Sequence, residues 1–213
     1  MSRARADGPK ALSTIGLIVE GETEFHALAE LPRLIPGCPP LKPTNLHGVG
    51  SHMTPTAIAK MVAPKVIGHI VAGRTRVVIC IDRESRQDCT GQFAQTVHHE
   101  LSKELCAKGY AHHEAYVVIA DRTFEAWLLA DARGLHQRRV FKTAPKFHSF
   151  EGNMGEQGRR GVLELTRLLG REYDKIRDGK DLFTKLNFPD ARKCKPGQHG
   201  SRSLDKLLRT LGV

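Results

Sequence analysis

The chain has 213 residues and a formal charge of +10, from 33 Lys+Arg against 23 Asp+Glu; that length suits one full core with at most a small appended subdomain. No apolar stretch approaches the roughly 18 residues of a membrane span. The five cysteines (Cys38, Cys80, Cys89, Cys106, Cys194) are scattered with no CxxC pair, which excludes a disulfide framework and a zinc knuckle and points to a reducing, cytoplasmic setting.

Residues 1–13 carry charges with no apolar segment behind them, so they read as a disordered tail rather than a secretory signal. The run Ile15-Gly16-Leu17-Ile18-Val19 predicts a strand and stops at Glu20. Gly21 then permits a tight turn, and Thr23 or Glu22 is suited to cap a helix with Phe25, Leu28 and Ala29 as its apolar stripe. Pro32, Pro36-Gly37 and Pro39-Pro40 end that helix. A short second strand is expected over 44–47, before the turn at Gly48 and Gly50. Thr54-Pro55 marks the start of a helix carrying Ile58, Met61, Val62, Val66 and Ile70, which Pro64 should kink.

The run 77–81 predicts the next strand and stops at Asp82. A polar loop leads to a helix over 90–108, stopped by Gly109. The last core strand, 115–120, stops at Asp121 and runs into a compact helix over 124–131. Beyond Gly134 the chain turns basic, with short helices expected over 162–169, 180–186 and 203–211. Alternating strands and helices predict an α/β fold, a mainly parallel Rossmann-like sheet flanked by helices with right-handed crossovers. The core spans 14–135, and 136–213 forms a basic, mostly helical C-terminal extension packed on it.

Three short, β-branched, wholly apolar strands suit a parallel sheet covered on both faces, whose strand C-termini share one edge where ligands bind. Glu20, Asp82 and Asp121 would gather there. Glu24 lies one helical turn beyond Glu20, Glu84 makes a D-x-E pair with Asp82, and Asp88 and Glu125 follow nearby. Carboxylates brought together repel unless a cation joins them, and all-oxygen donors favour Mg²⁺ or Mn²⁺ over zinc. For Asp121 helix capping is the simpler role; Glu22, Glu24 and Glu125 also suit helix macrodipoles.

The charge is uneven. Residues 1–135 hold 15 Lys+Arg against 14 Asp+Glu, and residues 136–213 hold 18 against 9. A basic region beside an acidic metal site suits an enzyme that cleaves a polyanion. Candidate phosphate contacts are Arg159, Arg160, Lys193, Lys195 and Arg202, with Arg192 in the same loop as Lys193. Arg83, between the two acids of the D-x-E pair, would pair with them. His98-His99 and His112-His113 read as surface residues, Cys80 as inert core, and Trp127 as a side chain packed on the sheet. Ser85, Ser201 and Ser203 lack a nucleophile-elbow context.

Ile18-Val19-Glu20-Gly21-Glu22-Thr23-Glu24 resembles the first motif of the Toprim domain, and Ile79-Cys80-Ile81-Asp82-Arg83-Glu84 resembles its second, with Glu84 where the usual motif has Asp. Phe124-Glu125-Ala126-Trp127-Leu128-Leu129-Ala130-Asp131 resembles a signature of small Toprim-like proteins of unassigned function, more distantly related to the nuclease half of overcoming-lysogenization-defect enzymes. The likeness covers about 14–131. It implies a Toprim-like fold and a metal-dependent nuclease, with Glu20, Glu24 and Asp82 on one ion and Glu84, Asp88 or Glu125 serving a second. It also implies catalytic roles for Glu20, Asp82 and Glu84, with Lys175, in a Tyr173-x-Lys175 context, as the catalytic cation. Service in a defence or repair system beside an ATPase partner subunit is a further implication. The expected reaction is hydrolysis of DNA or RNA phosphodiesters, with Glu20 as general base if it is not a ligand. Alternatives are a metal-dependent phosphatase or nucleotide hydrolase, and a non-catalytic module that binds nucleic acid or protein.

Overall fold

A computed structural model of the chain describes residues 13–146, 159–193 and 200–213. The predicted tail up to residue 12, and Lys195, lie outside the described residues. Four strands, β1 (Ile15–Val19), β2 (Leu41–Asn45), β3 (Arg76–Asp82) and β4 (Glu114–Ala120), form one all-parallel sheet in the order β2-β1-β3-β4. The ladder aligns Ile15 with Leu41, Gly16 with Val77, Val19 with Cys80 and Asp82 with Ala120.

Strand alternation sends side chains to two separate apolar layers. Leu17, Val19, Val78, Cys80, Val118 and Ala120 face one layer; Ile18, Val77, Ile79, Ile81, Val117 and Ile119 face the other. The second layer is closed by α3 (Pro55–Val71) through Ile58, Val62 and Val66, and by α4 (Thr90–Ala107) through Phe93, Val97, Leu101 and Leu105. The first is closed by α1 (Glu22–Leu28), α2 (Leu31–Leu34), α5 (Glu125–Leu129), α6 (Ala132–Gln137), α7 (Arg159–Leu169), α8 (Lys175–Thr184), α9 (Phe188–Ala191) and α10 (Arg202–Leu211). The C-terminal third therefore supplies much of one layer: Leu165, Leu168, Phe183, Leu204, Leu207 and Leu211 are all nearly fully buried there.

Local chemistry explains where elements differ from expectation. β2 starts at Leu41, three residues early, because as an edge strand paired only with β1 it tolerates Lys42 and Pro43. α1 is capped by Gly21 in extended conformation, not by Thr23 or Glu22. α3 runs through Pro64 as one helix, with the Thr54 hydroxyl accepting from the Ala57 N–H at 3.2 Å. The helix expected over 124–131 is the shorter α5, 125–129; it stops before Asp131, whose carboxylate accepts from Arg138 Nη2 at 2.6 Å and from the Asn187 N–H at 2.8 Å, and α6 starts afresh at Ala132. α8 begins five residues before the expected 180, capped by Asp174, whose carboxylate accepts from the Arg177 N–H at 2.9 Å. Gly16 keeps β1 open to α3: a Cβ there would lie 2.6 Å from His69 Cγ. His69 Nε2 meets Thr44 Oγ1 at 3.1 Å, and burial holds its imidazole down at about 4.

Trp127 is fully buried, its indole N–H donating to Ser203 Oγ at 2.8 Å, and Cys80 is core, its thiol pushed well up by burial. Both pairs of adjacent histidines are exposed. Among the described residues no helix is long and apolar enough to cross a membrane.

Candidate functional site

The helices following β1 and β3 pass to opposite faces of the sheet, α1 to one layer and α4 to the other. Between the C-terminal ends of these adjacent strands the chain leaves a crevice, the position where open parallel sheets bind ligands. Glu20 follows β1 and Asp82 ends β3. The Asp82 N–H donates to Glu20 Oε2 at 3.1 Å, which fixes one strand end against the other.

Around them lies a cleft of about 670 Å³, lined by Glu20, Glu24, Asp82, Glu84 and Glu125, with Lys175 on its wall. Glu24 and Glu125 are only 9% and 2% exposed. The Glu24 carboxylate folds back over Gly21, where a Cβ would collide with it. Lys175 is carried in by α8: the Thr23 hydroxyl of α1 donates to the Lys175 carbonyl at 3.2 Å, and Lys175 Nζ stands 3.8 Å from Glu125 Oε1. The hydroxyl of Tyr173, two residues before Lys175, is buried without a hydrogen-bond partner among the described residues.

Burial and mutual repulsion displace three of the acids. Desolvation, with Glu84 and Glu24 adding, raises Glu20 to about 7. Glu24 is raised by burial and by Glu125, and Asp82 well up by burial, Glu24, Glu20 and Glu125. Lys175 is raised, chiefly by Glu125. Among the described residues no three of these groups are already closed into a cage around a single point. The donor set nonetheless fits a hard cation: all its ligands are oxygens, and a divalent charge would offset the burial and repulsion that hold these carboxyls up.

The loop after β3 is held by arginines acting on backbone. Arg86, nearly buried, donates to the carbonyls of Asp82 (3.2 Å), Arg83 (3.3 Å) and Gly50 (2.6 Å), tying the β2–α3 loop to the acidic one. Glu84 sits at φ 52° and Arg122 at φ 76°, a left-handed backbone unusual for such side chains. The two hold each other: the Glu84 N–H donates to the Arg122 carbonyl at 2.7 Å, and Arg122 Nη1 to the Glu84 carbonyl at 2.8 Å. Backbone strain of this kind concentrates at functional sites.

Not every expected residue joins the cleft. The Asp88 carboxylate stays out of it, on an exposed loop whose carbonyl accepts from Arg83 Nη1 at 3.2 Å. Arg83 pairs with Asp121 at 2.7 Å rather than with Asp82 or Glu84, so Asp121 is an ion-pair partner and not a helix cap. Lys193 is held by Asp190 at 2.9 Å, Arg192 by Asp205 at 2.8 Å, and Arg160 is exposed. Arg159 begins α7, and Arg202 lines a separate hollow of about 770 Å³ beside the free edge of β4. Of these, Arg160, Arg192, Lys193 and Arg202 do not line the acidic cleft, and the Arg159 side chain lies outside the described residues. The residues that sequence reasoning missed are His47 and His52, on the cleft's β2–α3 rim, and the brace Arg86.

Residues 19–199 match a family described as a domain of unknown function, DUF4276. The chain belongs to that family. Every residue of the acidic cleft falls inside the DUF4276 match, as do β2, β3 and β4, whereas α10 lies beyond it. No curated protein and no solved structure matches the chain.

Proposed function

We propose that this DUF4276 protein is a cytoplasmic, Mg²⁺- or Mn²⁺-dependent nuclease hydrolysing phosphodiesters of DNA or RNA. The supporting observation is the convergence of Glu20, Glu24, Asp82, Glu84 and Glu125 from three strand ends on one cleft that also holds Lys175. The likeness of 18–24 and 79–84 to the Toprim motifs favours the same reading, and it also carries the suggested ATPase partner. Glu20, Glu24 and Asp82 would hold one ion, with Glu84 and Glu125 available to a second. When bound, such an ion neutralises phosphate charge and acidifies water.

The chain's own groups do the rest. Lys175, raised by Glu125, stays protonated and faces the charge that develops on the phosphate. Glu20, if it stands off the ion, accepts a proton from the attacking water, a task suited to a carboxyl held near 7. The arginine-braced loops keep Asp82 and Glu84 in place without contributing positive side chains to the ligand set.

The test incubates purified wild type and Asp82→Asn with labelled single- and double-stranded DNA and RNA, with Mg²⁺, Mn²⁺ or a chelator. Cleavage is expected only with metal, and at least about 100-fold slower in the variant, since outer-shell changes alone cost metal sites up to that much. Equal, metal-dependent cleavage by Asp82→Asn would overturn the assignment. Hydrolysis of nucleotides but not polymers would replace it with the phosphatase alternative.

A further inference from the structure

Hydrolysis of a phosphodiester needs a proton at each end: one leaves the attacking water and one must reach the departing alkoxide. The cleft's carboxylates are committed to the first task and to the cation. Lys175 is bound electrostatically to Glu125, which raises it and makes it a poor donor. Apart from Glu22 and the Thr23 hydroxyl, which is given to the Lys175 carbonyl, the remaining proton-carrying side chains on the cleft wall are His47 and His52, on the rim formed by the β2–α3 loop. Imidazolium gives up a proton readily near neutral pH.

The two histidines are not equivalent. The His52 ring, although exposed, lies over Gly50: a Cβ there would lie 2.5 Å from its Cε1 and 2.7 Å from its Nδ1, so a larger residue would push the ring aside. Nε2, at 3.6 Å from that point, is the ring's outer nitrogen. The Gly50 carbonyl in turn accepts from Arg86 at 2.6 Å, and the same guanidinium holds the Asp82 carbonyl at 3.2 Å. His52 is thus linked to the acidic loop through Gly50 and one buried arginine, whereas among the described residues no glycine seats the His47 ring.

We propose that His52 is the general acid of the reaction, a role that rests on the hydrolase reading above. In the step, a water oxygen forms a bond to phosphorus and passes one proton to a cleft carboxylate. The bond from phosphorus to the leaving oxygen breaks, its electron pair goes to that oxygen, and His52 protonates it. Arg86 is a positioning residue, acting through Gly50.

A leaving group that departs as a stable anion needs no such proton. Wild type, His52→Gln and His47→Gln are therefore assayed with Mn²⁺ on a labelled oligonucleotide and on bis(p-nitrophenyl) phosphate, after matched thermal melts. His52→Gln is expected to lose roughly 100-fold or more on the oligonucleotide while keeping its rate on the nitrophenyl ester. His47→Gln should show no difference between the two substrates. Equal losses by His52→Gln on both substrates, or no loss on either, would overturn the general-acid role while leaving the nuclease reading standing. A wild type inert on both overturns that reading and this inference together.

Discussion

Glu20 is a site residue whose ionisation the fold resists, and the resistance can be measured without a substrate. Its carboxyl is held at about 7 against an ordinary 4.5. Below 4.5 both folded and unfolded chains carry the proton and nothing is lost. Between 4.5 and 7 the folded state binds more protons than the unfolded one, so stability falls as pH rises, and above 7 the loss is complete. A shift of this size corresponds to about 3 kcal/mol. Glu24 and Asp82, raised for the same reason, act with the same sign. His69, held down at about 4, acts oppositely, making the fold more stable as pH climbs from 4 to 6.5. The difference between variants therefore isolates the effect. Glu20→Gln, which can still accept from the Asp82 N–H, should be about 2 kcal/mol more stable than wild type at pH 8 and show no gain at pH 4.5, by urea midpoints without divalent metal. A variant less stable than wild type at pH 8 would mean that Glu20 supports the fold rather than straining it.

The cleft depends on how α8 meets α1, and at that contact α8 gives up bulk to Thr23 of α1. Gly179 lies mid-helix, where a Cβ would collide with Thr23 Cγ2 and lie 3.0 Å from Tyr173 Oη. On an open helix face Gly→Ala adds about 1 kcal/mol of stability. Here the methyl group must push α8 away from α1, and overpacking of this kind costs about 1–3 kcal/mol. Gly179→Ala should therefore lower the thermal midpoint and, by moving Lys175 off the cleft, reduce cleavage more than it reduces folding. Sequence alone hides this contact, because a glycine between Asp178 and Lys180 reads as a helix breaker. It delays the expected start of α8 to 180, when Asp174 in fact caps the helix. The strands β1, β3 and β4 were legible for the opposite reason: burial on both faces leaves only apolar, β-branched residues, with an acid at the exposed end. His47 and His52 carry no such pattern. Their place at the cleft follows only from the topology, which puts the end of β2 on the same sheet edge.

At the scale of the whole molecule, the division into a core over 14–135 and a basic extension follows the change in composition but not the packing. Several basic residues beyond residue 135 are engaged with acids of the same stretch: Arg171 holds Asp178, and Arg192 and Arg209 both hold Asp205. The same stretch supplies apolar mass to the sheet. Leu204, Leu207, Leu208 and Leu211 of α10 are each at most 1% exposed, and Ser203 receives the Trp127 indole N–H and the Asp121 backbone N–H. At about 1.5–3 kcal/mol per buried leucine, α10 alone contributes about 6–12 kcal/mol of burial, comparable to the whole stability of a domain of this size. Residues 13–135 expressed alone should therefore lack a cooperative thermal transition and bind a hydrophobic dye through the uncovered layer. A chain ending at residue 200 should fail in the same way although it retains every residue of the acidic cleft. Circular dichroism melts of the two truncations decide the matter: a sharp transition in the shorter one would show that the strands and the α3 and α4 layer suffice, and that the C-terminal helices are added to a domain rather than part of it.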